Sequence, residues 1–152
     1  MEKTELYETF QKGLTSVNGE SYIAKKADVA ATLTKIFQDK DTHEVALVET
    51  PLLKEIGAVD ALKAAGIKVD TDHFRKNAPD DKGGVTEADY GIANLGSIVQ
   101  MKDDIDCRIV ETVSDVYVGI VKLSKIVDTF DDMIDIMAET KPFPKFAGII
   151  TG

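Results

Sequence analysis

Glu49 has the surroundings in which a carboxylate could do chemistry. It closes the apolar run Val45-Ala46-Leu47-Val48, and Thr50-Pro51 follows it directly. Such a run reads as a strand covered on both faces. Thr is a good helix N-cap and Pro is favoured at the first helical position. In open α/β sheets ligands bind beyond the carboxyl ends of strands, and a helix N-terminus offers backbone donors to an anion. Glu49 is therefore a candidate acid–base group or nucleophile, with helix capping or plain solvation as the alternative. A second feature is Gly83-Gly84-Val85-Thr86, which could present N–H groups to a phosphate or carboxylate. It matches neither a Walker A motif nor a dinucleotide fingerprint, and an ordinary turn explains it as well.

The other reactive side chains lack the company that catalysis needs. His43 and His73 are far apart, sit in polar segments and belong to no metal-ligand spacing, so they read as surface histidines. Cys107 stands between Asp106 and Arg108 with no histidine nearby, which points to a buried or inert thiol. The pairs Asp39/Asp41, Asp80/Asp81, Asp103/Asp104 and Asp131/Asp132 have no EF-hand spacing and read as solvated faces. No metal and no cofactor is expected.

The chain has 152 residues, 18 Lys+Arg against 27 Asp+Glu and one Cys. That length is a prior for one domain. A net charge of −9 argues against binding a nucleic-acid backbone. One cysteine supplies neither an internal disulfide nor the ligand set of an iron–sulfur cluster. The polar N-terminus does not read as a signal sequence, so none is expected. The longest apolar run, Val116–Val121, is far short of the roughly 20 residues that span a bilayer. A free thiol without a signal suggests the cytoplasm.

The elements that must position these groups follow from periodicity and punctuation. Leu6, Tyr7, Phe10 and Leu14 form a helical stripe, and Asn18-Gly19 marks a turn. Tyr22–Ala24 reads as a short strand. Asp28 caps a helix burying Val29, Leu33, Ile36 and Phe37. Val45–Val48 is a strand; Leu52, Leu53 and Ile56 line a helix that Gly57 stops; Val59 and Leu62 continue it to Gly66; Ile67–Val69 is the next strand. This alternation predicts an α/β sheet with right-handed crossovers. Asp70–Gly84 reads as a surface loop. Tyr90–Ala93 and Ser97–Met101 form a hairpin around Asn94-Leu95-Gly96, with a helix from Thr86 as the competing reading. Ile105–Val113 is a short helix, Val116–Lys122 a strand, Asp128 caps a helix carrying Phe130, Met133, Ile134 and Met137, and Phe146–Ile150 is a last strand.

The stretch Gly84-Val85-Thr86-Glu87-Ala88-Asp89-Tyr90-Gly91-Ile92-Ala93-Asn94-Leu95-Gly96-Ser97-Ile98-Val99 resembles the signature of the LUD-domain proteins, the lactate-utilisation protein C family. The strand from Val116, the segment Lys125-Ile126-Val127 before a helix, and the ending Ile149-Ile150-Thr151-Gly152 resemble the family's downstream order. The resemblance implies a three-layer α/β/α sandwich with a mostly parallel sheet, shared with ribose-phosphate isomerases, sugar-phosphate deaminases, CoA transferases and the folate cyclo-ligase. It implies one LUD-like domain over residues 1–152, acting as the non-cluster subunit of a system that oxidises L-lactate to pyruvate beside iron–sulfur partners. The alternative is a small-molecule enzyme of the same fold acting on an anionic acyl or sugar-phosphate substrate. On either reading the expected ligand is a small anion, held by Gly83, Gly84, Thr86, Asp89, Asn94, Gly96, Ser97, Thr151 and Gly152, with Glu49 as catalytic candidate. No nucleic acid and no membrane is expected as partner, and self-association is left open. The sequence departs from the family pattern at Asn94-Leu95-Gly96-Ser97, where the family has Asp/Glu-Thr-Gly-Thr. It also stops before the family's Pro-Ser-(Arg/Lys)-Thr-Ala-Asp segment, as a short or truncated member would.

Overall fold

The structure, a computed structural model, describes residues 2–151. Helix α1 (Lys3–Ser16) forms on its apolar stripe and buries Phe10. Tyr22–Ala24 joins no strand: Tyr22 and Ile23 are 53% and 61% exposed, so burial does nothing to favour pairing there. Helix α2 (Val29–Asp39) buries Leu33 and Phe37; Asp28 holds the cap position, but its side chain makes no cap hydrogen bond. Strand β1 (Glu44–Leu47) leads to α3 (Pro51–Glu55), and Gly57, at φ +66°, turns the chain into α4 (Ala58–Ala64). Strand β2 (Lys68–Asp70) follows.

The segment expected as a loop contains one turn of helix, α5 (Phe74–Asn77), and ends in strand β3 (Gly83–Glu87). Residues 83–86 are thus neither a turn nor a helix start. Strands β4 (Tyr90–Ile92) and β5 (Ser97–Gln100) make the expected hairpin. Helix α6 (Ile105–Val113) is capped by Asp104, whose carboxylate accepts from the Asp106 N–H at 2.8 Å. Strands β6 (Val116–Ile120) and β7 (Ile126–Val127) precede α7 (Phe130–Glu139). The cap of α7 is Thr129 rather than Asp128: its hydroxyl accepts from the Asp132 N–H and the Asp132 carboxylate accepts from the Thr129 N–H, each at 3.2 Å. Strand β8 (Gly148–Thr151) is last. No helix among the described residues is long and apolar enough to cross a membrane.

The chain divides into two compact units. The first, Tyr22–Glu87 with Asp104–Ile120, is the three-layer α/β/α sandwich. Its sheet is fully parallel in the order β2-β1-β3-β6. Leu33, Phe37, Leu53, Ala58 and Leu62 pack with Val45, Leu47 and Val85 on one face. Phe74, Ala78, Cys107 and Val110 pack with Ala46 and Val48 on the other. The alternation along β1 is the period of two that a strand covered on both sides requires.

The second unit, Met1–Ser21, Ala88–Asp103 and Val121–Gly152, carries a mixed sheet in the order β7-β4-β5-β8. The α1 stripe, with Phe10 at its centre, packs with Ala93, Ile98 and Ile126. Met133, Ile136 and Met137 of α7 pack with Ile92 and Val99.

Candidate functional site

In the parallel sheet the chain leaves β1 toward β2 on one side and returns to β3 on the other. The strand order therefore reverses between β1 and β3, and the carboxyl ends of these two strands flank the switch point where open α/β sheets bind ligands. Glu49 lies there. β1 ends at Leu47, the Val48 N–H bonds the Val85 carbonyl at 3.1 Å, and Glu49 is the next residue. Its carboxylate is 3.9 Å from Lys54 Nζ. The Thr50 hydroxyl accepts from the Leu53 N–H at 3.2 Å, with Pro51 at the first helical position, as the sequence predicts. That bond occupies one of the backbone donors an anion would have used.

Thr86 comes from the same end of β3. It is fully buried, and its hydroxyl donates to Glu111 Oε1 at 3.3 Å while lying 2.5 Å from the Tyr117 hydroxyl. Because Thr86 donates to the carboxylate, its oxygen is left to accept from the phenol. The Tyr117 hydroxyl, the Thr86 hydroxyl and the Glu111 carboxylate thus form one hydrogen-bonded line. Neither Glu111 nor Tyr117 stood out in the sequence. A signal for Tyr117 was nonetheless there: in β6, Val116 and Val118 pack with the α2–α4 core, so alternation sends Tyr117 to the opposite face. Gly84 and Thr86 share that face, and Gly84 is the register partner of Tyr117.

Gly83 and Gly84 stand inside this central strand, where ladders to β1 and β6 engage it from both sides. The expected loop of free N–H groups is therefore not what they form. Their small size has another use. A Cβ on Gly83 would come within 2.8 Å of Phe37 Cε1, and one on Gly84 would overlap Ser114 Oγ and lie 2.7 Å from Val110 Cγ1. The glycines let the helical layers close on the sheet.

The remaining expected ligand residues belong to the other unit. Asp89 Oδ2 accepts from the Met101 N–H at 2.7 Å, and its Oδ1 is 3.7 Å from Lys102 Nζ, so this carboxylate braces the hairpin. Asn94 is exposed, with its N–H on the Asp128 carbonyl at 2.9 Å. Gly96, at φ +64°, has its backbone against α1: a Cβ there would overlap Leu14 N and stand 2.5 Å from Gly13 C. Ser97 is fully buried, and its hydroxyl is 2.6 Å from that of Thr151. Gly152 lies outside the described residues. The structure thus joins Ser97 to Thr151 and sets Gly83, Gly84 and Thr86 along one strand.

His43 and His73 are exposed, His43 lying 2.8 Å from Asp41 and His73 3.8 Å from Asp72. Cys107, the chain's single cysteine, is a buried thiol in the apolar cluster beneath α5. Among the described residues no group of three or more His, Cys, Asp or Glu could hold a metal ion.

Comparison with known proteins decides the family. The model of the LUD domain matches residues 7–148. The chain belongs to the LUD-domain family. The match runs through both units, and a connection with lactate utilisation holds at the level of the family. The fold is similar to the crystal structure of a DUF162 family protein from Deinococcus radiodurans. The TM-score is 0.74 at 12% identity, over 99% of this chain and 89% of that one. A search of curated proteins found no match.

Proposed function

We propose that this LUD-domain protein is the non-cluster subunit of a system that oxidises L-lactate to pyruvate, working beside iron–sulfur subunits in the cytoplasm. The family match over residues 7–148 carries this reading. The cysteine count supports the division of labour: one Cys cannot ligate a cluster that needs four thiolates, so electrons would pass through partner chains. The acidic net charge fits a protein partner and not a nucleic acid. Affinity capture of the tagged protein from cells growing on L-lactate is the test. Recovery of an iron–sulfur protein is the expected result; its repeated absence would contradict the reading.

The position of Glu49 favours a second reading, in which the switch point binds and converts a small anionic acyl or sugar-phosphate compound. A ligand at 100 times its dissociation constant stabilises its host by about 2.7 kcal/mol. A thermal-shift panel of lactate, pyruvate, acyl-CoA and sugar phosphates therefore finds it. For any compound that is turned over, Glu49→Gln is expected to abolish turnover and leave the unliganded melting temperature unchanged, because the side chain is solvent-facing. Full activity of Glu49→Gln would remove this residue from the mechanism.

A further inference from the structure

Asp70 ends β2, and Asp81 precedes β3 on the far side of α5. Eleven positions separate them in sequence; Asp70 is the register partner of Ala46, whose side chain packs with those of α5 and α6, and in the fold its carboxyl acts on that of Asp81. Asp81 is 2% exposed. Its Oδ2 is buried and meets no hydrogen-bond partner, and Oδ2 of Asp70 is buried in the same condition. Lys68 Nζ lies 3.8 Å from that Asp70 oxygen, within ion-pair range and beyond hydrogen-bond range.

The charged groups acting on Asp81 are Asp70 and Lys68 from β2 and Glu44 from β1. From α5 it receives a neutral contact, its N–H bonding the Asn77 carbonyl at 3.1 Å. Arg75 of α5 acts on Asp106 of α6, and Lys82 is 3.7 Å from Asp115. Lys68 is thus the cation set against Asp70, Asp81 and Glu44 together. Two carboxylates held side by side out of water cannot both ionise without large cost. A single proton between them turns repulsion into a charge-assisted hydrogen bond.

We propose that the Asp70–Asp81 pair is a proton-operated latch: one shared proton locks the segment Thr71–Lys82 across this face of the sheet, and loss of the proton releases the segment and uncovers Cys107. The segment is suited to opening as a unit. It holds a helix of four residues, and its anchors, Phe74 and Ala78, are buried in the same apolar cluster as Cys107. Burial, and then the neighbouring Asp70, raise the Asp81 carboxyl from 3.8 to about 7. The raised value fixes the direction. The closed state binds the proton more tightly than the open state does, so the latch is strongest below about pH 4 and weakens as pH rises toward 7. Above that both states are ionised and the effect levels off.

Two readouts test it on the whole chain: hydrogen exchange of residues 71–82, corrected for intrinsic rates, and reaction of Cys107 with 4,4′-dithiodipyridine. Wild type and Asp81→Asn are compared at each pH, so that the thiol's own titration cancels. In wild type the opening equilibrium is expected to rise by up to about tenfold per pH unit between pH 5 and 7 and then level off. Asp81→Asn keeps a donor for Asp70 and cannot ionise, so its opening should stay flat and low. Asp70→Asn removes the opposing charge but leaves Asp81 buried, so its profile should be shallower than that of wild type, which keeps the test open should one variant fail to fold. Equal pH dependence in wild type and the folded variants would overturn the proposal. So would a flat wild-type profile, or protection restored at pH 8 by millimolar calcium or magnesium, which would make a cation and not a proton the occupant.

Discussion

Gly96→Val is expected to unfold the mixed-sheet unit or destabilise it by about 3–5 kcal/mol, read as a fall in the denaturation midpoint with an unchanged slope. Two costs add. The residue sits at φ +64°, where an L side chain costs roughly 1–2 kcal/mol and a β-branched one more. The new Cβ would also collide with backbone, at Leu14 N and Gly13 C of α1, and backbone cannot rotate aside as a side chain can. Gly13 has the reciprocal problem, a Cβ there standing 2.7 Å from Gly96 N. Gly13→Ala should therefore destabilise by the same route, without the φ cost. A Gly96→Val protein as stable as wild type would mean that α1 does not rest on the hairpin turn. The contact also bears on function, because in this fold the glycine that resembles the family's turn glycine serves helix packing.

Phe37→Ala is expected to cost about 3–5 kcal/mol, through lost burial and the cavity left behind. Phe37 is fully buried, with Leu33 and Leu62 in its cluster, and lies directly over Gly83 at the start of β3. The aromatic ring fills the space that the glycine leaves. Removing it loosens the strand that carries Thr86 toward the switch point. Binding of the anion proposed for that end should weaken along with stability, whereas Phe37→Leu, which keeps most of the volume, should cost far less. Denaturant titration of the three proteins checks the order; equal midpoints would contradict this view of the core.

Much of the architecture could be read from local chemistry. Phe10 and Leu14 on α1, Leu33 and Phe37 on α2 and Met133 on α7 announce helices at the right spacing. Thr50-Pro51 marks the start of α3 to the residue, and the hairpin around Asn94–Gly96 forms as its alternation predicts. Strand β3 was not legible as a strand. Gly83 and Gly84 carry turn propensity, and only their tertiary neighbours, Phe37 on one face and Ser114 on the other, explain glycine in a central strand. The helical turn α5 was hidden for a related reason, since Phe74 and Ala78 supply too little periodicity to show in a polar segment. Of the site, Glu49 was accessible because strand-end position is a sequence property. The partnership of Thr86 with Glu111 and Tyr117 was not, nor was that of Asp70 with Asp81. Both depend on distances created by parallel pairing across crossovers, which no local pattern encodes.

Growth and turnover on L-lactate test the central claim most directly. Cells lacking this gene should fail to grow on L-lactate as carbon source, grow normally on pyruvate, and form no pyruvate from L-lactate in extracts. The wild-type gene should restore all three behaviours. Undiminished growth on L-lactate, with full L-lactate-dependent pyruvate formation in the deletion strain, would contradict the account.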